Sequence, residues 1–130
     1  MARGGAAVAA GRARPAPPAD ERRPVVVRLT ADEATLLHRS MSRLVRESRQ
    51  RLVSRPEGAR RELVLDLSAV PPVPVLAPLL LLIRLLRRLL GPDGRMDVTG
   101  VNPALVGALT AFDLPDGVGL VDTRGRRWSS

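Results

Sequence analysis

Apolar residues recur along this chain with two periods, two residues in some stretches and three to four in others, and the two kinds of stretch alternate. Val25-Val26-Val27-Arg28-Leu29 is a β-branched run and predicts a strand. Thr30-Ala31-Asp32-Glu33 follows with the form of a capping box, in which the threonine hydroxyl accepts from the Glu33 amide and the glutamate reaches back to the Thr30 amide. Ala34, Leu37, Met41, Leu44, Val45, Ser48 and Leu52 then share one side of a helix expected over about 31–53. Arg39, Arg43, Arg46, Glu47 and Gln50 take the other side, Glu47 and Arg51 are spaced for an ion pair, and Pro56-Glu57-Gly58 ends the helix. His38 lies beside the stripe and reads as a solvent-facing or boundary residue.

Leu63-Val64-Leu65-Asp66-Leu67 is nearly all apolar, the pattern of a central strand covered on both faces, with Asp66 near its end. Pro71-Pro72-Val73-Pro74 forbids helix and ladder alike and makes a stiff, extended connection. A helix is expected from about Pro78 to Leu90, stopped by Gly91-Pro92. Met96 and Val98 alternate in a strand running to about Val101. Asn102-Pro103 then caps a helix in which Leu105, Leu109 and Phe112 share a face. Leu114-Pro115 closes it, and Val118 to Val121 form a last short strand. The order β-α-β-α-β-α-β predicts an α/β fold with a mostly parallel or mixed sheet of four to five strands and three to four helices.

Composition narrows the chemistry. The 130 residues include no cysteine and one histidine, which excludes disulfides, thiol nucleophiles and Cys-ligated zinc and leaves no His-rich metal site. Asp66, Asp93, Asp97 and Asp113 are scattered, without a base–nucleophile pairing, and Gly91-Pro92-Asp93-Gly94 has the form of a turn and not of a phosphate-cradling loop. No catalytic, cofactor-binding or metal-binding residue is assigned, and an enzyme is the poorest fit.

The net charge of +8 raises the question of nucleic acid. Most of that excess lies at the ends: residues 1–24 carry five arginines against Asp20 and Glu21, and residues 124–130 carry Arg124, Arg126 and Arg127 with no acid. Such ends give salt-sensitive, sequence-independent attraction to phosphate. With Phe112 and Trp128 as the two aromatic residues, no stacking platform is expected, and specific nucleic-acid binding is disfavoured. Residues 1–24, rich in Ala, Pro, Gly and Arg, have too little apolar surface to offset the entropy of ordering and read as a flexible arm. The apolar stretch Ala6–Ala10 is too short and too small for a secretory signal. The expected organisation is a disordered arm over 1–24, one domain over 25–123 and a basic tail over 124–130.

Residues 73–90 are apolar enough to suggest a membrane span, but Pro74, Pro78, Arg84, Arg87 and Arg88 interrupt them, and each central arginine costs roughly 2.5–3.5 kcal/mol on insertion scales. A cytoplasmic protein without a transmembrane segment is expected. On a helical wheel Leu79, Leu82, Leu86 and Leu89 cluster on one side and Arg84, Arg87 and Arg88 on the other. Leu80 falls between Arg84 and Arg87, Leu81 falls near Arg88, and Leu76 and Ala77 project toward Leu80. An apolar patch rimmed by arginine fits a protein interface, and it equally fits surface leucines covered by a tail or loop.

The run from Val25–Leu29 through the capped helix to Glu62-Leu63-Val64-Leu65-Asp66-Leu67-Ser68-Ala69-Val70, the leucine-rich helix, Val98-Thr99-Gly100-Val101-Asn102-Pro103 and Leu109-Thr110-Ala111-Phe112-Asp113-Leu114 resembles a STAS domain, the fold of bacterial anti-sigma factor antagonists. The resemblance covers roughly 25–123. It implies a domain that binds a kinase acting as the anti-sigma factor, and that is switched by phosphorylation of the second serine of an Asp-Ser-Ser-Gly-Leu segment at a helix start. That segment falls here on Pro74-Val75-Leu76-Ala77-Pro78, so Leu76 stands at the phosphoacceptor position, and Ser68 matches an ordinary turn serine. The chain also departs from the family in showing one obvious strand before the first helix where two are usual.

The expectation is a non-enzymatic interaction domain in transcription regulation or signalling, lacking the serine switch. It would bind a kinase-like anti-sigma factor or a subunit of a signalling complex through Pro74, Val75, Leu76, Ala77, Leu80, Leu81 and Arg84, and self-association is compatible with it. Leu80→Asp is expected to remove binding and leave the fold intact. Two alternatives stay open: an accessory STAS-like subunit of a membrane lipid transporter, and a non-specific nucleic-acid binder acting through the Arg-rich ends.

Overall fold

The computed structural model describes residues 23–56, 61–71, 76–112 and 114–129; the arm expected over 1–24 lies outside them except for Arg23 and Pro24. The elements follow in the order β1 (Val25–Arg28), α1 (Ala31–Thr35), α2 (Leu37–Val53), β2 (Glu62–Asp66), α3 (Leu76–Leu90), β3 (Arg95–Val101), α4 (Pro103–Thr110), β4 (Val118–Asp122) and β5 (Arg127–Ser129). Their fold is α/β, with a five-stranded sheet in the order β1-β2-β3-β4-β5, parallel throughout except for the antiparallel β4–β5 pair.

Local sequence explains the helix starts. Thr30 Oγ1 accepts from Glu33 N at 3.0 Å and Glu33 Oε1 accepts from Thr30 N at 2.9 Å, the reciprocal capping box. Asn102 Oδ1 accepts from Ala104 N at 2.9 Å, with Pro103 at the first helical position where its missing N–H costs nothing. The single helix expected over 31–53 is two: the chain leaves helical geometry at Leu36 (φ −112°, ψ 40°). The expected stripe persists across the break: Ala34, Leu37, Met41, Leu44, Ser48 and Leu52 are buried and Val45 is half-buried, while Leu36 is exposed. The Glu47–Arg51 pair does not form. Glu47 instead pairs with Arg43, which also holds Glu33, and Arg51 serves the sheet.

Every parallel connection steps to the next strand in the same direction, and right-handed crossovers of that kind put their helices on one face. On that face Val25, Val27, Leu63, Leu65, Met96, Val98, Val118 and Leu120 join Leu79, Leu82, Ile83, Leu86, Leu90, Leu105, Val106 and Leu109 in one core. Among the described residues no helix covers the other face, whose side chains are half-buried to exposed. β2 is therefore covered on one side and not on both: Leu63 and Leu65 are buried, whereas Glu62, Val64 and Asp66 are half-exposed. Cross-strand ion pairs suit this wet face, with Arg28 Nε to Asp66 Oδ2 at 3.0 Å and Arg127 Nη1 to Asp97 Oδ1 at 2.9 Å.

Two expectations at the C-terminal end are corrected. Phe112 does not share the α4 face, because α4 ends at Thr110 and Phe112 is exposed. Within the basic tail expected over 124–130, Arg127–Ser129 form a strand that pairs with β4. Asp122 makes this hairpin: its Oδ1 accepts from Arg124 N and Arg126 N at 2.9 Å each, and its Oδ2 from Trp128 Nε1 at 3.4 Å. Trp128 packs against the core with the Arg126 guanidinium 4.3 Å from its ring centre.

Candidate interaction surface

β2 delivers the chain to the proposed surface. Asp66, its last residue, takes Arg28 on one oxygen and the Ser68 amide on the other at 2.9 Å, which turns the backbone out of the sheet. Burial pushes the Asp66 carboxyl up, but the Ser68 amide and hydroxyl and the Arg28 guanidinium outweigh it and hold the group below its ordinary value. Ser68 thus does the work of a turn residue. Gly100, at φ 67° in the irregular end of β3, lies against this turn: a Cβ there would come within 2.8 Å of Ser68 N. Leu67 N donates to Thr99 O, which ties the same turn to β3.

Pro74 and Val75 lie outside the described residues. From Leu76 onward the chain is helical, two residues earlier than the sequence suggests, with Pro78 in the first turn. Leu76 is half-buried against the core and Ala77 is exposed. Leu81 is 48% exposed and Arg84 is exposed, and together with Ala77 and Arg88 they form one ridge along α3. Leu80 is not part of it. At 8% exposure it belongs to the core, as do Leu79, Leu82, Ile83, Leu86 and Leu90. At about 100° per residue these positions span about 160° of the helix, and α3 packs on both β3 and α2. The buried arc centres on Ile83 and Leu86, so Leu89 moves to its margin and Leu80 inside it. The composition of the helix, leucine on nearly every side, gave no signal for that rotation.

Arg87, expected on the solvent side, is half-buried and structural: its Nε donates to Asp116 O and its Nη1 to Gly91 O, both at 2.7 Å, which locks the end of α3 to the loop before β4. Of the expected surface, then, the structure brings together Leu76, Ala77, Leu81 and Arg84 and removes Leu80. Apolar and cationic groups in this arrangement can bind; they carry no nucleophile or base.

Two open clefts flank α2. One of ≈ 680 Å³ lies between the start of β1 and the end of α2, lined by Arg23, Val25, Glu47, Gln50, Arg51 and Arg55. Here Arg51 Nη1 donates to Val26 O at 2.6 Å and Arg55 donates to Arg23 O. Leu29 N donates to Asp66 O, so the alternate residue Val26 turns its carbonyl to the edge of β1 that no described strand pairs with, and Arg51 reaches that edge. The second cleft, ≈ 520 Å³, runs between α2 and α3. Among the described residues no group of three His, Asp or Glu side chains could hold a metal ion, and no helix is long and apolar enough to cross a membrane. No family model, curated protein or solved structure matches the chain.

Proposed function

We propose that this protein is a non-enzymatic interaction domain of the anti-sigma factor antagonist kind, which binds a kinase-like anti-sigma factor or a comparable signalling partner in the cytoplasm and so regulates transcription. The observation that carries the reading is the exposed Ala77, Leu81 and Arg84 ridge on the first half of α3, the helix that follows β2, where the resembling family has its switch. Leu76 stands at the phosphoacceptor position, half-buried and without a hydroxyl. Phosphorylation would add nearly two negative charges at such a helix start. With leucine there, the surface is constitutively competent to bind.

Affinity capture from a lysate of the source cells, with wild type beside Leu81→Asp, tests this reading. Recovery of a kinase-like or sigma-pathway protein by the wild type and not by the variant supports it. Equal recovery by both, or recovery of a transporter subunit, overturns it.

A further inference from the structure

The cleft between α2 and α3 has a floor and a rim of different chemistry. Met41, at 8% exposure, and the half-buried Val45 and Leu85 make the floor; the exposed His38, Ser42, Arg46 and Arg49 make the rim. The rim is free of acid. Glu47, the one carboxylate of α2, turns to the opposite flank and is held by Arg43, and α3 contains no carboxylate at all. Arg46 and Arg49 have no ion-pair or hydrogen-bond partner among the described residues. Two arginines standing unpaired over a recessed apolar floor leave both a charge and a hydrophobic surface unmatched.

We propose that this groove is a docking site for an acidic amphipathic helix of a partner protein. From His38 to Arg49 it runs about 16 Å, close to three helical turns. A helix laid along it places apolar residues at i, i+3, i+4 and i+7 on Met41, Val45 and Leu85 and sends its carboxylates to Arg46 and Arg49. A flat anionic bilayer meets the arginines but does not reach the recessed floor, and a nucleic-acid backbone has nothing apolar to set against it. The groove is formed by α2 and Leu85, without Ala77, Leu81 or Arg84 of the ridge at the start of α3, so its occupant need not be the ridge's partner.

The test uses the full chain labelled for NMR and a helix-stapled Leu/Glu amphipathic peptide of three turns, beside the same peptide with Lys for Glu. Amide shifts confined to His38, Ser42, Val45, Arg49 and Leu85, together with binding at least roughly tenfold weaker for Arg46→Glu/Arg49→Glu, are expected. The Lys peptide should not bind. Should the charge reversal unfold the protein, Arg46→Gln/Arg49→Gln takes its place and should weaken binding in the same direction. Absence of binding, shifts centred elsewhere, equal affinity for the Lys peptide, or affinity unchanged by both double variants overturns the proposal. So does sedimentation with phosphatidylglycerol vesicles through Arg46 and Arg49 without affinity for the Glu peptide.

Discussion

Leu80 and Leu81 are adjacent on α3 and lie on opposite sides of the boundary between core and solvent, at 8% and 48% exposure. That boundary decides which leucine can report on binding. Leu80→Ala is expected to destabilise the fold by about 2–5 kcal/mol by leaving a cavity, whereas Leu81→Ala is expected to change stability by less than about 0.5 kcal/mol. Urea unfolding of the two variants checks this; equal losses would mean that α3 sits in another rotation.

Gly100 is held to glycine twice over, by a positive φ and by the Ser68 backbone 2.8 Å from where a Cβ would lie. Gly100→Ala should cost more than the about 1–2 kcal/mol of left-handed strain alone, and the disturbance should reach the β2–α3 turn. Gly107, in α4 with open space at its Cβ position, is the control: Gly107→Ala should stabilise by roughly 0.5–1 kcal/mol. Thermal unfolding of the pair measures both.

Asp122 is 6% exposed, and burial pushes its carboxyl up; the amides of Arg126 and Arg124 and the Trp128 indole outweigh this and hold it low. Glu33 is held low chiefly by its hydrogen bond to Arg43. Folded values below the unfolded ones mean that both groups stabilise the protein above the ordinary carboxylate range, about pH 4, and that this contribution is lost as pH falls through the lower folded values. Stability should therefore drop on acidification below about pH 4. Asp122→Asn should be less stable than wild type at pH 7 and less sensitive to acid, and denaturant titrations at pH 7 and at low pH compare the two directly.

Trp128 joins the core from β5, so the C-terminal segment is part of the domain. Trp128→Ala should cost about 1–3 kcal/mol, less than for a fully buried tryptophan, and deletion of 124–130 more than that. Arg127→Ala, which removes an exposed pair with Asp97, should cost at most about 1 kcal/mol. A deletion without effect on unfolding would return the segment to the status of a tail.

Much of this architecture is legible from short-range chemistry. The Thr30–Glu33 capping box and the Asn102-Pro103 helix start depend on neighbours in sequence, and the structure has both. The alternation of strands and helices likewise predicts the parallel sheet. What local pattern does not carry is partnership between distant elements. β5 is three residues made by the Asp122 turn, with too little apolar periodicity to announce itself. The open face of β2 follows from the direction of the crossovers, which no single strand encodes. The candidate surface divides in the same way: Ala77, Leu81 and Arg84 are exposed as the wheel suggests, and Leu80 is buried in the core, on a flank of α3 that tertiary packing and not the helix's own sequence selects.

The ridge at the start of α3 is expected to bind a partner without a phosphorylation switch. Titration of the captured partner into wild type and Leu81→Asp, with circular dichroism to show that both are folded, tests it most directly. Affinity at least about tenfold weaker is expected for the variant. Equal affinities for two folded proteins would contradict it.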